Sequence, residues 1–307
     1  MAKQLITKPG AERSRFRPDV ILHFVPKEPQ ERLLDFLLQV MADRKRTTVK
    51  DFLKHQQVMV NGQVTTQWNL PLEAGDEVKV NTSRQFQVFS NPRLKIVYED
   101  ADIIVVEKGY GLLSVGTDRK SEGTAYWLLR EWVKRVDPRQ KVFIVHRLDQ
   151  HTSGLMLFAK TVQAKEALQH NWNNMVLERR YVAVTEGIPD PAEGSIHSYL
   201  AENSAHEVYS TTDPKEGKEA LTRYTTLKTR GNRALVELQL ETGRKNQIRV
   251  HLADIKCPIS GDRRYGSGTS PIHRLALHAQ TLRFIHPISR HDMNFTSAIP
   301  AAFARLV

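Results

Sequence analysis

One polar turn set between two apolar runs constrains this chain more than any other feature. Val142-Phe143-Ile144-Val145 and Leu155-Met156-Leu157-Phe158 are short, apolar and rich in strand-forming residues, so each reads as a buried strand. Between them, Arg147, Asp149, Thr152 and Ser153 form a polar turn whose one apolar member is Leu148. A chain that needed only a reversal would place Asn-Gly or Asp-Gly here. A carboxylate fixed on a rigid scaffold is instead the kind of place where reactive groups lie. An Asp beside Arg and Ser also serves simply to bond its own backbone. The turn taken alone leaves both readings open.

Composition narrows the choice. The 307 residues are enough for two domains or one large one, and 40% hydrophobic with 26% charged content is ordinary for a globular protein. No apolar run approaches the roughly 20 residues of a membrane span. The first ten residues lack an apolar core segment, so no secretory signal is expected and a cytoplasmic location is. Cys257 is the one cysteine, which excludes an intrachain disulfide and any cysteine-rich metal site. The twelve histidines show no H-E-x-x-H spacing, and no metal is expected. A net charge of +11 points to a polyanionic partner, most simply nucleic acid, with an inert basic surface as the alternative.

Along the chain, residues 1–30 are polar, basic and proline-punctuated and read as an extended arm, with one apolar stretch at 20–25. Residues 31–82 read as a small α/β domain. Leu33, Leu34, Phe36, Leu37, Leu38 and Met41 follow helical spacing. Thr47 or Thr48 is placed to cap a second helix whose apolar face is Val49, Phe52 and Leu53. Val58-Met59-Val60-Asn61-Gly62-Gln63-Val64 predicts two strands around an Asn-Gly turn. Residues 83–93 read as a linker, and 94–307 as the second domain. There, Ile96-Val97-Tyr98 and Ile103-Ile104-Val105-Val106 predict strands, and residues 125–136 an amphipathic helix. The polar segment 203–219 reads as a loop or hairpin excursion.

The full string 145–160 resembles the catalytic motif of the RluA-type pseudouridine synthases, H-R-L-D-x-x-T-S-G-L-L-L-F-A-K, with Met156 at one Leu position. The resemblance implies that Asp149 is the essential catalytic residue, with Arg147 beside it for substrate binding. Lys108-Gly109-Tyr110-Gly111-Leu112-Leu113-Ser114 resembles K-P-A-G-L-L-S, with Gly109 in place of the usual Pro. Residues 178–187 resemble K-x-Y-x-A-x-x-x-G, which implies that Tyr181 stacks on the target base; a buried strand tyrosine is the plainer reading. Residues 243–253 resemble G-R-T-H-Q-I-R-V-H-L-A and imply that Arg249 pairs with Asp149, with Lys245 and Asn246 replacing the usual Thr-His. An opposite charge of that kind keeps a partly buried carboxylate ionised. Residues 258–266 resemble P-I-x-G-D-x-x-Y-G and read as scaffold. Residues 31–82 resemble the αL RNA-binding domain, which implies that Arg44, Lys45, Arg46, Lys50 and Lys54 contact RNA.

The resemblance implies an α+β fold: a catalytic domain with a predominantly antiparallel mixed sheet and a central cleft, preceded by a small α/β RNA-binding domain. It implies isomerisation of uridine to pseudouridine in RNA, large-subunit rRNA before tRNA; separately, a monomer is expected, although the sequence does not itself encode the oligomeric state. No redox change or net hydrolysis occurs, so no cofactor is expected. A non-catalytic RNA-binding or ribosome-assembly protein is the alternative. A glycoside hydrolase would need a second carboxylate at a set separation, and none stands out.

Overall fold

The computed structural model describes residues 20–27, 32–116 and 121–307. The chain divides into two compact units, one up to residue 88 and one from 89 to 307. Most of the expected arm, residues 1–19 and 28–30, lies outside the described residues.

In the smaller unit, apolar residues at helical spacing form α1 (Leu33–Val40), which buries Leu33, Leu34, Phe36 and Leu37. Helix α2 (Arg46–Lys54) buries Val49, Phe52 and Leu53. Its N-cap is Lys45, with no side-chain cap, so neither Thr47 nor Thr48 caps it; the backbone turns helical before reaching them. Strands β2 (Val58–Val60) and β3 (Gln63–Val64) flank Asn61 at φ 47° and Gly62 at φ 77°. Both angles are positive, as a two-residue hairpin of this type requires. Asn61 also accepts from the Glu77 backbone at 2.8 Å and donates to Asp76 at 2.7 Å, tying the turn to β4 (Glu77–Asn81).

The stretch 20–25, expected to belong to an arm, instead contributes a strand, β1 (Val20–Phe24), that pairs antiparallel with β4. The sheet order is β1-β4-β2-β3. The reason is packing: Val25 is buried in the core of this unit with Leu33, Leu37, Val49 and Val78, and Ile21 packs against it.

The larger unit is built on β5 (Leu94–Glu99), β6 (Ile103–Lys108), α3 (Ala125–Val136), β7 (Phe143–Ile144), β8 (Ser153–Ala159), α4 (Val162–His170), α5 (Trp172–Met175) and β9 (Val176–Glu186). There follow β10 (Glu193–Glu202), β11 (Val208–Thr211), β12 (Lys218–Arg230), β13 (Arg233–Leu240), α6 (Gln247–Asp254), β14 (Leu277–Ile285), β15 (Asp292–Thr296) and α7 (Ala301–Ala304). Helices α3 and α4 begin at Thr124 and Thr161, whose hydroxyls accept from backbone N–H groups of their first turns.

Eleven strands form one sheet in the order β11-β10-β12-β13-β9-β14-β8-β6-β5, with β15 on β14 and β7 on β8. Every pairing is antiparallel except β14 with β8. The expected α+β fold with a mixed, mostly antiparallel sheet is therefore present. The segment 203–219 is a hairpin excursion between β10 and β12 that carries β11.

The apolar runs explain themselves by burial on two faces. On β6 and β8, Ile104, Val106, Met156 and Phe158 enter one core, while Ile103, Val105, Leu155 and Leu157 enter another. Alternate residues point to opposite faces, so a strand covered on both sides must be apolar throughout.

The lone parallel pairing aligns only His278 with Ser153 and Ala279 with Gly154. At Gly154, φ is +117° and an added Cβ would lie 2.1 Å from the Ala279 carbonyl oxygen. Only glycine allows the strands this close. Gly154→Ala should destabilise the protein by about 3 kcal/mol or more. Urea unfolding measures this, and a loss under about 1 kcal/mol would show that the contact yields freely.

Candidate active site

Asp149 lies in the connection from β7 to β8, four residues before the parallel seam. Its turn is clamped from outside. Ser114 donates to the Leu148 carbonyl at 2.5 Å and accepts from the Leu148 N–H at 3.2 Å. The Thr152 N–H bonds the Asp149 carbonyl at 3.1 Å. The Gln150 carbonyl accepts from Gly111 N–H at 3.0 Å and from the Lys108 ammonium at 3.2 Å. Lys108 also donates to Leu112 O at 2.8 Å and Gly109 O at 3.2 Å. The whole stretch 108–114 is thus a brace for the Asp149 backbone. Burial pulls the Lys108 ammonium down to about 7, with Asp149 attracting the proton and Arg274 repelling it.

Three distant segments meet around the Asp149 carboxylate. A pocket of about 60 Å³ is lined by Arg147, Asp149, Tyr181, Arg244, Gln247 and Arg249, among others. Tyr181 comes from the middle of β9, between Leu238 of β13 and Ala279 of β14. Its ring is buried, which raises its phenol pKa; Arg179 works against this and Asp149 adds to it. Arg147 is exposed at the rim. Among the described residues, neither Asp149 carboxylate oxygen is held by a hydrogen bond or an ion pair.

Arg249, on α6, departs from expectation. It does not ion-pair with Asp149. Both carboxylate oxygens of Asp262 accept from it instead, from Nε and Nη2, each at 2.7 Å. The fork-to-fork fit on a carboxylate with no solvent exposure is the reason this partner holds the guanidinium. Burial opposes the Arg249 charge, but the bonds and charge of Asp262, with the pull of Asp149, hold its pKa above the usual value. The sequence presents Asp262 as scaffold and Asn246 as a departure from the family motif, and the structure places both against Arg249. Their signal was faint: a carboxylate after a glycine and before two arginines, and an asparagine at the start of a helix.

The cleft continues on both sides. A pocket of about 450 Å³ adds Trp172, Arg179 and Lys245 to Arg147, Asp149, Tyr181 and Arg244. Another of about 630 Å³ shares Arg249 and adds Tyr110, His151, Arg263, Arg264 and Arg274. His151 reports the local field: burial, then Arg249 and Lys108, depress its pKa, with Asp149 and Asp262 opposing. The basic residues Arg44, Lys45, Arg46, Lys50 and Lys54 lie in the smaller unit, all exposed, and 46, 50 and 54 recur every fourth residue along α2.

Elsewhere, Asp100, Asp102 and His286 offer ligand atoms within 4.8 Å of one another. Their polar atoms are engaged with protein: His286 bonds Asp100 at 2.9 Å, and Asp100 accepts from the Asp102 and Ile103 backbones. Among the described residues no helix is long and apolar enough to cross a membrane.

Comparison with known proteins identifies the family. Residues 102–254 match the RNA pseudouridylate synthase family. The chain is 33% identical over 288 residues to the Bacillus subtilis (strain 168) uncharacterized RNA pseudouridine synthase YlyB, covering 92% of this chain and 94% of that one. It is 32% identical over 294 residues to the ribosomal large subunit pseudouridine synthase D of Escherichia coli (strain K12), covering 90% of each. The solved structure of human RNA pseudouridylate synthase domain containing 4 shares the fold, with a TM-score of 0.58 at 24% identity over 69% of this chain and 91% of that one. The chain belongs to the RNA pseudouridylate synthase family and is an isomerase that acts on RNA.

Three histidines around this scaffold are kept neutral by burial. His146 is pulled down to about 3, with Arg179 contributing, and its Nε2 accepts from the Leu157 N–H at 2.9 Å. His251 and His278 are each pulled down to about 4, again by burial first. The unfolded chain binds these protons below about 6.5 while the folded chain does not. Stability should therefore be constant with respect to these rings above that pH and fall as pH drops from 6.5 toward 4. The slope is about 1.4 kcal/mol per pH unit for each ring. Urea unfolding at pH 7.0, 6.0 and 5.0 measures it; equal stability at all three would show that the rings protonate in place.

Proposed function

We propose that this protein converts uridine to pseudouridine in large-subunit ribosomal RNA, with Asp149 as the catalytic carboxylate. The reading rests above all on the convergence of Asp149, Tyr181 and Arg249 in one pocket from three distant parts of the chain. The relative that is a ribosomal large subunit pseudouridine synthase, covered over 90% of its length, supports the substrate.

The reaction breaks the bond from N1 of uracil to C1′ of the sugar and forms one from C5 to C1′. The C5 proton leaves and N1 gains one, so no external oxidant, reductant or cofactor enters. The requirement is a positioned carboxylate that acts on the sugar or the base. Asp149 suits this, with its backbone braced and its oxygens open to the pocket. The uridine leaves its stack to reach this depth, and the Tyr181 ring provides a flat surface for the base. Arg249 supplies positive charge beside the carboxylate, and Arg147 sits at the rim to meet a phosphate. The cationic pockets on either side suit a backbone running past the flipped nucleotide. The smaller unit adds a second RNA contact through Arg44, Lys45, Arg46, Lys50 and Lys54. The site of action is the cytoplasm, where ribosomes are assembled.

Asp149→Asn should lower product formation at least about 1,000-fold on a large-subunit rRNA transcript while RNA affinity stays within about threefold. Product formation is read by chemical mapping and affinity by filter binding. Retained product formation would remove Asp149 from the chemistry. Charge reversal of Arg46, Lys50 and Lys54 together should reduce the slope of log affinity against log salt by about 2. An unchanged slope would mean that α2 is not an RNA contact.

A further inference from the structure

The guanidinium of Arg249 is boxed on several sides. Asp262 takes Nε and Nη2, each at 2.7 Å. Asn246 Oδ1 accepts from Nη1 at 2.9 Å. The Tyr265 ring lies against the guanidinium, 4.8 Å from its carbon to the ring centroid, and the Tyr265 hydroxyl accepts from Asn246 Nδ2 at 3.1 Å. An arginine has five N–H donors. Three are committed here, which leaves two.

The box is itself rigidly mounted. Asn246 is the N-cap of α6 at φ 55°, a left-handed conformation that asparagine tolerates. Gly261, at φ +82°, packs so closely on Arg274 that an added Cβ would lie 2.2 Å from its carbonyl oxygen. The Asp262 carbonyl accepts from the Tyr265 and Ser267 backbones at 3.2 and 3.0 Å. Asp262 therefore stands on a loop that has no freedom to follow a moving arginine. Arg249 in turn forms part of two pockets, the one that holds Asp149 and Tyr181 and the larger one beyond it.

We propose that Asp262, assisted by Asn246, is a positioning residue of this enzyme, which fixes Arg249 at the boundary of the Asp149 pocket with two N–H donors left for the reaction. This rests on the reading that Arg249 serves the chemistry. Asp262 does not touch the RNA; its influence passes through one guanidinium. A buried carboxylate pair is a weak source of net stability, because desolvation offsets most of the attraction. It does confer direction, since a bidentate fork admits one orientation. Displacement of a catalytic group by about 1 Å is known to cost on the order of 100-fold in rate.

The test is a double-mutant cycle in the full-length protein, with kcat and KM on the rRNA transcript and thermal unfolding of every variant. Asp262→Asn keeps the shape and removes the charge. It should lower kcat by about 100-fold with KM within about threefold of wild type. In an Arg249→Ala background the same change should cost less than about twofold, because its route is already gone. Asn246→Ala leaves the ion pair intact and covers the case in which Asp262→Asn does not fold; it should lower kcat by about tenfold, and that loss too should vanish in the Arg249→Ala background. Losses that persist in full without Arg249 would overturn the proposal and assign Asp262 to the scaffold. An active Asp262→Asn enzyme beside an impaired Arg249→Ala enzyme would overturn it while leaving the role of Arg249 intact. A fully active Arg249→Ala enzyme would overturn both.

Discussion

Strand β8 is the element on which the larger unit depends. All seven of its residues are buried. One edge pairs with β6 along six positions. The other edge is shared, with β14 taking Ser153 and Gly154 and β7 taking Phe158 and Ala159. The two-residue parallel contact to β14 joins β5, β6 and β8 to the long antiparallel run that begins at β9. It can form only because position 154 has no side chain. Ser153 reinforces the seam, bonding His278 at 2.9 Å and accepting from Arg274 at 2.7 Å. Asp149 stands just upstream, so the seam that completes the sheet also aims the carboxylate.

A rigid seam is useful chemically because an isomerase without an external reactant depends on placement. The Asp149 backbone is held from the far side by Ser114 and Lys108, and its side chain is left open to the pocket. Charge is arranged around it with the same economy of partners. Arg249 is saturated along one edge by Asp262, while Arg147 stands exposed at the rim. The Asp149 carboxylate thus faces several cations without being tied to any of them. The same cations line the pockets on either side of Asp149, where positive charge favours phosphate.

Local chemistry was legible in the sequence wherever neighbours along the chain determine the outcome. The apolar runs of β6 and β8, the spacing of Leu33, Leu34, Phe36 and Leu37, and the Asn61-Gly62 turn all carry their structure in short windows. Motif resemblance located Asp149, Tyr181 and Arg249, and the structure brings them to one pocket. Long-range contacts were not legible. Nothing near residue 20 announces that Val20–Phe24 will find the open edge of β4, some sixty residues later. Thr47 and Thr48 are good caps in isolation, but the helix starts at Arg46. The partner of Arg249 is not legible in the sequence for a related reason. Opposite charges in two motifs suggest a pair, yet which carboxylate wins depends on fork geometry and burial, and Asp262 has both.

The most direct measurement is a map of pseudouridines in total RNA from cells lacking this gene, complemented with wild type or Asp149→Asn. Sites in large-subunit rRNA that disappear without the gene and return only with wild type are the expected result; they would tie activity, substrate and catalytic carboxylate together. Restoration by Asp149→Asn, or no change at any uridine of large-subunit rRNA, would contradict it.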